Sequence, residues 1–203
     1  MPQDHPEQPR RIDLPGADLQ IFEQSGVDDQ ALLRELIDHT PWRSESLTLF
    51  GKTYLQPRLI AYHGDPEASY TYSGKPHTPL PWTETLARLR TLAQNLAGTA
   101  FNSVLLNYYR DGSDSMGLHA DDEPELGHHP VIASLSLGQQ RRMYFQHKRQ
   151  RQMPKLSLEL PSGSLLIMAG ATQHNWKHGI RKTRRPCGPR VNLTFRLVRS
   201  SAE

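Results

Sequence analysis

The segment from Arg190 to Leu197 alternates polar and apolar residues without an error, and this pattern constrains the fold more than any other feature of the sequence. Side chains two residues apart lie on the same face of a β-strand, so the segment predicts a strand with one polar face. That face would carry Arg190, Asn192, Thr194 and Arg196. The pattern alone leaves two interpretations open. The segment is a solvated edge strand, or its polar face lines an interior pocket where two guanidinium groups bind a dicarboxylate.

The rest of the sequence predicts two early helices followed by short strands. Apolar residues recur at helical spacing after a capping Asp28 and end at Pro41, and they do so again between Thr83 and Gly98. Aromatic hairpins are expected between these helices. After Gly98, short β-like runs are separated by glycine and proline turns, which suggests a sandwich or barrel. The expected fold class is therefore α+β and mainly β, with the helices flanking the strands.

The composition is typical of one globular domain: 203 residues, 36% of them hydrophobic, with a single cysteine. There is no apolar run of membrane-spanning length and no signal-peptide core, so we expect a cytoplasmic or nuclear protein that is not secreted. Residues 1–20 contain few apolar residues and predict a mobile arm, which leaves residues 21–203 as one domain. The net charge is −4 for residues 1–103 and +7 for residues 104–203, which hints at an anionic partner.

A candidate metal site begins with His119 and Asp121, which share a face on an extended backbone and can ligate one ion. Such a pair is more often hydrogen-bonded at a surface, so a third ligand is required. Two histidines and one carboxylate form the facial triad of non-haem Fe(II) oxygenases. Five histidines are candidates for this third ligand: His128, His129, His147, His174 and His178. The last two follow GSLLIMAG, a buried-strand pattern, and are favoured, although their spacing also fits a zinc pair on a helix.

Five segments of the sequence occur in a specific order: NYYRDGSDSMGLHADDE, PVIASLSLG, GSLLIMAG, HNWKHGIRK and PRVNLTFR. Together, over about residues 40 to 198, they resemble the AlkB family of Fe(II)/2-oxoglutarate-dependent nucleic-acid dealkylases. The resemblance implies a double-stranded β-helix, or jelly roll, as the core of the fold. It also implies that His119, Asp121 and His178 ligate the iron.

The same resemblance implies a site for 2-oxoglutarate. Its distal carboxylate is expected against Arg190 and Tyr109, and the end beside the metal against Arg196 and Asn107. Asn192 would line the same pocket. The implied cofactor is Fe(2+), with 2-oxoglutarate and O2 as cosubstrates. The implied reaction oxidises an N-methyl carbon while 2-oxoglutarate becomes succinate and CO2, after which formaldehyde leaves the repaired base.

The implied substrate is DNA that carries 1-methyladenine or 3-methylcytosine, with the base flipped out of the stack. A nucleotide-recognition lid is expected at about residues 44–78, where Tyr72 stacks on the base, Tyr70 lines the lid and Phe50 fills the gap in a duplex. Asp122 and Glu123 would contact the base or organise nearby arginines. A basic cluster is assigned to phosphate contact on charge alone and comprises Arg141, Arg142, Lys148, Arg149 and Arg151.

Two other functions are weighed against DNA dealkylation. The first keeps the oxygenase chemistry and moves it to methylated RNA or to a protein side chain. The second is a non-catalytic nucleic-acid-binding module whose metal is structural or absent, but such a module has no need for two inward-facing arginines and a ligand triad. We expect a monomer that binds single- or double-stranded DNA, or RNA, and does not bind a membrane.

Overall fold

The computed structural model describes residues 8–49, 52–72 and 75–199 of the chain. Within these ranges the helices are α1 (Asp29–His39), α2 (Glu84–Ala97) and α3 (Thr172–Asn175), and a 3₁₀ turn spans Pro124–Leu126. The strands are β1 (Arg10–Ile12), β2 (Asp18–Phe22), β3 (Arg43–Leu49), β4 (Lys52–Gly64), β5 (Tyr70–Tyr72), β6 (Lys75–His77), β7 (Ser103–Tyr109), β8 (Met116–His119), β9 (Ile132–Gly138), β10 (Arg141–His147), β11 (Leu156–Leu160), β12 (Leu165–Ala169), β13 (Trp176–Ile180) and β14 (Arg190–Arg196).

Two antiparallel sheets form the core. The larger sheet has the order β1-β2-β12-β9-β14-β7-β4-β3, and the smaller one has the order β11-β10-β13-β8. Side chains from both sheets share one apolar cluster, in which Leu105 and Leu166 of the larger sheet join Phe145 and Leu160 of the smaller. Sheets that bury their inner faces against each other in this way confirm the predicted jelly-roll core.

Helices α1 and α2 cover the outer face of the larger sheet, as the sequence predicts. Leu36 of α1 and Leu89 of α2 belong to the apolar cluster that also contains Val191 of β14. Asp28 caps α1 by accepting a hydrogen bond from the Ala31 amide at 3.1 Å. Satisfying this otherwise unpaired N–H fixes the point where the helix starts. In the described part of the chain, the helices lack the length and apolar content that a membrane crossing requires.

Strand β14 lies between β7 and β9, and all seven of its residues are buried. Val191, Leu193 and Phe195 face the helices, whereas the four polar residues of the alternation face the space between the sheets. The interpretation of this segment as a solvated edge strand is therefore wrong. Its polar face is an interior wall.

The predicted mobile arm over residues 1–20 is wrong for its second half, because β1 and β2 are strands of the larger sheet. The segment has few apolar residues, but Leu19 and Ile21 alternate on β2 and are only 2% and 1% exposed. Strand β2 pairs with β12 from residue 18 to residue 22. The alternation of apolar residues at every second position, rather than their number, makes this segment a strand. Residues 1–7 lie outside the described ranges.

Part of the expected lid at residues 44–78 is a wall of the barrel. Strand β4 pairs with β7 from Leu59 to Gly64, inside the larger sheet. Strands β5 and β6 form a separate two-stranded hairpin. Phe50 lies outside the described residues, as do the side chains of Tyr70 and Tyr72, so their predicted substrate contacts stay predictions.

Candidate metal centre and carboxylate pocket

His119 and His178 are brought together by the pairing of β8 with β13, in which the two residues are directly opposite. Their ring centroids are 4.4 Å apart. Asp121 follows two residues after His119, and one ligand atom from each of the three residues lies within 4.8 Å of the others. His174 lies in α3 and is exposed, so the alternative of a helical zinc pair with His178 is wrong. The three residues face one point, as a metal centre requires.

The two carboxylate oxygens of Asp121 have different surroundings. Oδ1 accepts a hydrogen bond from Nη2 of Arg196 at 2.6 Å. Oδ2 is buried without a hydrogen-bond partner among the described residues and lies 3.6 Å from Nε2 of His178. An unpartnered buried carboxylate oxygen is costly in a folded protein unless a cation compensates it. Its position beside two imidazoles therefore fits a bound metal ion.

The protonation states of the three residues suit metal ligation. Burial lowers the pKa of His178 to about 3 and also lowers the pKa of His119, so both imidazoles are neutral near pH 7. Burial acts to raise the pKa of Asp121, but Arg196 and the two histidines hold it below its ordinary value. Neutral imidazoles and an ionised carboxylate are the forms that bind Fe(II). His119 Nδ1 lies 3.0 Å from the Gly117 carbonyl, which accepts its proton and leaves Nε2 as the ligand atom.

Arg190 lies farther along the same interior face, at the other end of β14. The register with β7 places it opposite Tyr109, and its guanidinium carbon is 5.2 Å from the centre of that ring. Nη2 donates to the Ser136 hydroxyl at 2.9 Å, whereas Nε and Nη1 have no hydrogen-bond partner within the described ranges. Burial lowers the pKa of Arg190 to about 10, so it remains charged near neutrality. A buried cation with two free donors fits a carboxylate ligand.

Hydroxyl and amide groups fill the interior between the metal centre and Arg190. Asn192 donates to the Ser134 hydroxyl at 2.8 Å and accepts from the Thr194 hydroxyl at 3.1 Å. These three residues line the same cavity as the metal ligands, as the resemblance implies for Asn192. The network leaves a polar wall that suits the carboxylate and keto oxygens of a 2-oxo acid.

The structure does not pair Asn107 with Arg196, although both line the cavity. The Oδ1 atom of Asn107 accepts a hydrogen bond from Nε of Arg58 at 2.7 Å, and Arg196 instead donates to Asp121. The register explains this difference, because Asn107 lies opposite Asn192 on β14 and four residues away from Arg196. Binding of the metal-proximal end of 2-oxoglutarate by Asn107 and Arg196 stays a prediction.

Arg141 is not the phosphate contact that the sequence predicts. It is 6% exposed, and its guanidinium donates to the backbone carbonyls of Asp111, Asp114 and Arg181. Strand alternation explains the error, because inward and outward residues alternate along β10 and charge alone does not tell them apart. The next residue, Arg142, is exposed and pairs with Glu159 at 2.7 Å, and its predicted role stays untested.

The two acidic residues after Asp121 differ in environment. Asp122 is exposed and pairs with Lys148 at 2.6 Å, so this lysine of the basic cluster has a carboxylate partner. Glu123 is partly buried, and burial raises its pKa. Both residues line a cavity beside the loop that carries Asp121, together with His128 and His174. Their contact with a base stays a prediction.

Sequence reasoning missed several residues of the site. The signal for Ser134 and Ser136 was present, because they alternate with apolar residues along β9 as the polar residues do along β14. Arg58 lies in β4, where few local features separate an inward arginine from a surface one. Gln173, whose Oε1 accepts the Asp121 amide at 3.0 Å, had no signal in its own neighbourhood.

Comparison with known proteins agrees with this geometry. The model of the 2OG-Fe(II) oxygenase superfamily matches residues 20–196. Alpha-ketoglutarate-dependent dioxygenase alkB homolog 3 of Homo sapiens is 40% identical in an alignment 175 residues long that covers 82% of this chain and 60% of that protein. DNA oxidative demethylase ALKBH2 of Mus musculus is 40% identical in an alignment 176 residues long that covers 82% of this chain and 74% of that protein. The chain thus spans about 60% of the length of the alkB homolog 3 relatives.

A solved structure supports the fold. The structure of OsALKBH1 superposes with a TM-score of 0.64 at 17% sequence identity and covers 94% of this chain and 100% of that one. At this identity the likeness concerns the arrangement of the sheets and helices only.

Proposed function

The chain belongs to the AlkB family of 2OG-Fe(II) oxygenases, and on that premise we propose that it is a dioxygenase that removes methyl groups oxidatively from N-alkylated bases of DNA. The family uses Fe(2+), 2-oxoglutarate and O2. The proposed substrates are 1-methyladenine and 3-methylcytosine, and the proposed products are the repaired base, formaldehyde, succinate and CO2.

The observation that carries this proposal is the pairing of two incomplete groups in one interior. Oδ2 of Asp121 needs a cation, and Nε and Nη1 of Arg190 need an anion. Both groups belong to the interior to which β14 contributes its polar face. A divalent metal together with 2-oxoglutarate would satisfy both needs at once. A nucleic-acid-binding module without this chemistry would leave Oδ2 of Asp121 and two nitrogens of Arg190 buried without partners.

When bound, iron and 2-oxoglutarate supply the oxidation of the N-methyl carbon. The protein holds the metal through neutral His119 and His178 and through ionised Asp121, which Arg196 orients and keeps deprotonated. Arg190 anchors the distal carboxylate. An apolar part of the cavity wall would limit access of water to the reacting carbon, as oxidation of a methyl group requires. It contains Met116, Met143, Met168 and Ile180.

The choice of DNA rests on relatives, because mouse ALKBH2, at 40% identity, is named a DNA oxidative demethylase. The acidic pair Asp122 and Glu123 lies directly after the metal ligand Asp121, where acceptors for the exocyclic amine of a base are useful. Methylated RNA presents the same base edges, so a matched RNA substrate belongs in the test.

The test measures formaldehyde release from oligonucleotides with a single 1-methyladenine or 3-methylcytosine, supplied as DNA and as RNA of one sequence. We expect release from DNA with the wild type and none with His119→Ala. His39→Ala is the matched control, since His39 is an exposed histidine at the end of α1. Equal release with His119→Ala and wild type would overturn the oxygenase assignment. Release from RNA alone would move the substrate class to RNA.

A further inference from the structure

Asp121 lies in an irregular stretch, outside the strand that carries His119. Strand β8 ends at His119, and no named element covers residues 120–123. The ladder of the smaller sheet therefore does not hold the backbone of Asp121. Its amide is nevertheless buried, and a buried N–H needs an acceptor. Some other group has to fix this peptide if the carboxylate is to face the two histidines.

That acceptor is a side chain 52 residues away in sequence. The Asp121 amide donates to Oε1 of Gln173 at 3.0 Å, in a buried hydrogen bond. Gln173 is 1% exposed, and its Nε2 lies 3.6 Å from Sδ of Met168. Both ends of the amide group therefore have a partner.

Gln173 lies in α3, a single turn that is anchored on its other side. The Thr172 hydroxyl donates to the Ala169 carbonyl at 2.6 Å and accepts the Asp18 amide at 2.9 Å. The Asn175 amide group donates to the Gly16 carbonyl at 2.8 Å. The N-terminal strands thus hold α3 in place. A well-fixed turn makes the Gln173 side chain a rigid support rather than an adaptable one.

The turn leads directly into β13, which carries His178 five residues after Gln173. The hydrogen bond therefore links the loop of one metal ligand to the segment of another. If the Asp121 peptide rotated, Oδ2 would leave its place 3.6 Å from His178 Nε2. Register between β8 and β13 sets the two histidines, but it does not set the carboxylate.

We propose that Gln173 is a positioning residue of the metal centre: it fixes the Asp121 peptide so that Oδ2 faces the two imidazoles, and it thereby sets the affinity for Fe(II). The proposal rests on the metal site of the proposed function. It concerns metal binding and not the choice of substrate, so its test needs no nucleic acid.

The test measures the Kd for Fe(II) under anaerobic conditions with saturating 2-oxoglutarate, read from the metal-to-ligand charge-transfer band. Gln173→Met keeps the length and loses the acceptor, and we expect its Kd to rise about 10- to 100-fold. Gln173→Glu keeps an acceptor oxygen at the same reach, so its Kd should stay at least about tenfold below that of Gln173→Met. Asn175→Ala, on the same turn, is the control for a loss of anchoring alone.

Urea unfolding of each metal-free variant separates positioning from structure. We expect Asn175→Ala to lower the free energy of unfolding without raising the Kd, because Thr172 still anchors the turn. Gln173→Met should raise the Kd. An unchanged Kd in Gln173→Met would overturn the proposal, and so would equal rises in Gln173→Met and Gln173→Glu. If Gln173→Met does not fold, Gln173→Asn replaces it, and its shorter reach should raise the Kd. A wild type that binds Fe(II) and 2-oxoglutarate without releasing formaldehyde would overturn the proposed function and leave this inference standing.

Discussion

Arg190 and Arg196 carry the two charges of β14, and burial makes each charge costly unless a partner compensates it. Arg196 has the Asp121 carboxylate at 2.6 Å. Arg190 has the Ser136 hydroxyl and the Tyr109 ring, while two of its nitrogens meet no acceptor in the part of the chain that the structure describes. At the scale of single residues, Arg190 is therefore the group for which we propose a ligand carboxylate as the partner.

Replacing Arg190 tests this assignment. In Arg190→Met, we expect the KM for 2-oxoglutarate to rise about 10- to 100-fold, because charge-assisted hydrogen bonds contribute about 1.5–3 kcal/mol. The free energy of unfolding of the apoprotein should not fall, since a buried charge gives way to an apolar chain of similar length. Succinate formation at varied 2-oxoglutarate gives the KM, with Arg142→Met as the surface control. An unchanged KM would contradict the assignment.

The neighbouring arginines Arg141 and Arg142 allow a second test at this scale. Arg141→Met removes three buried or part-buried hydrogen bonds to backbone carbonyls, and we expect the free energy of unfolding to fall by about 2–4 kcal/mol. Arg142→Met breaks an exposed ion pair with Glu159 and should cost less than about 1 kcal/mol. Urea denaturation measures both values. Equal costs would show that the three hydrogen bonds of Arg141 stabilise the fold no more than an exposed ion pair does.

Among the elements, the N-terminal strands matter more than their composition indicates. Strand β2 extends the larger sheet beyond β12, and the turn before it accepts a hydrogen bond from Trp176 Nε1 at the Pro15 carbonyl, 3.1 Å away. Trp176 is the first residue of β13, which carries His178. The segment therefore supports the strand that carries His178 through packing and hydrogen bonds, and it contributes no candidate metal ligand itself.

A pair of leucine substitutions measures this support. Leu19 on β2 is 2% exposed and Leu55 on β4 is 73% exposed. We expect Leu19→Ala to lower the free energy of unfolding by about 2–5 kcal/mol, since it leaves a cavity between the sheets. Leu55→Ala should change it by less than about 0.5 kcal/mol. Urea denaturation of the two variants gives the comparison. A decrease of less than about 1 kcal/mol in the free energy of unfolding for Leu19→Ala would restore the mobile-arm interpretation.

For the whole molecule, the site exists only when both sheets are assembled. His119 and His178 come from the smaller sheet, and Arg190 and Arg196 come from the larger one. The unfolded chain separates these residues by up to 77 positions, so it offers no preformed centre. Ligands that bind the folded state alone add their binding free energy to its stability.

We therefore expect metal and cosubstrate to stabilise the fold. Mn(II) at 100 times its Kd, with 2-oxoglutarate present, should raise the free energy of unfolding by about 2.7 kcal/mol. His119→Ala should show almost no increase, because one of the three ligand atoms is lost. Thermal unfolding with and without a chelator gives the measurement. An equal increase in wild type and His119→Ala would place the metal elsewhere.

Local periodicity makes much of this protein predictable from its sequence. Both long helices, with the caps Asp28 and Thr83, follow from spacing and cap residues. The polar face of β14 follows from its alternation. The ligands His119, Asp121 and His178 follow from motifs that resemble a known family, and the structure brings them together. Each of these signals lies within a short stretch of chain, where side-chain direction depends on the backbone alone.

The tertiary structure decided what depends on neighbours distant in sequence. It made β14 a central strand, placed β1 and β2 in a sheet, and buried Arg141 against carbonyls. It also separated Asn107 from Arg196 and brought Gln173 to Asp121. Strand order and burial are set by long-range pairing, which local patterns of polarity do not encode. The sequence by itself therefore determined the chemistry of the ligands, and the packing of the two sheets determined what holds each of them in place.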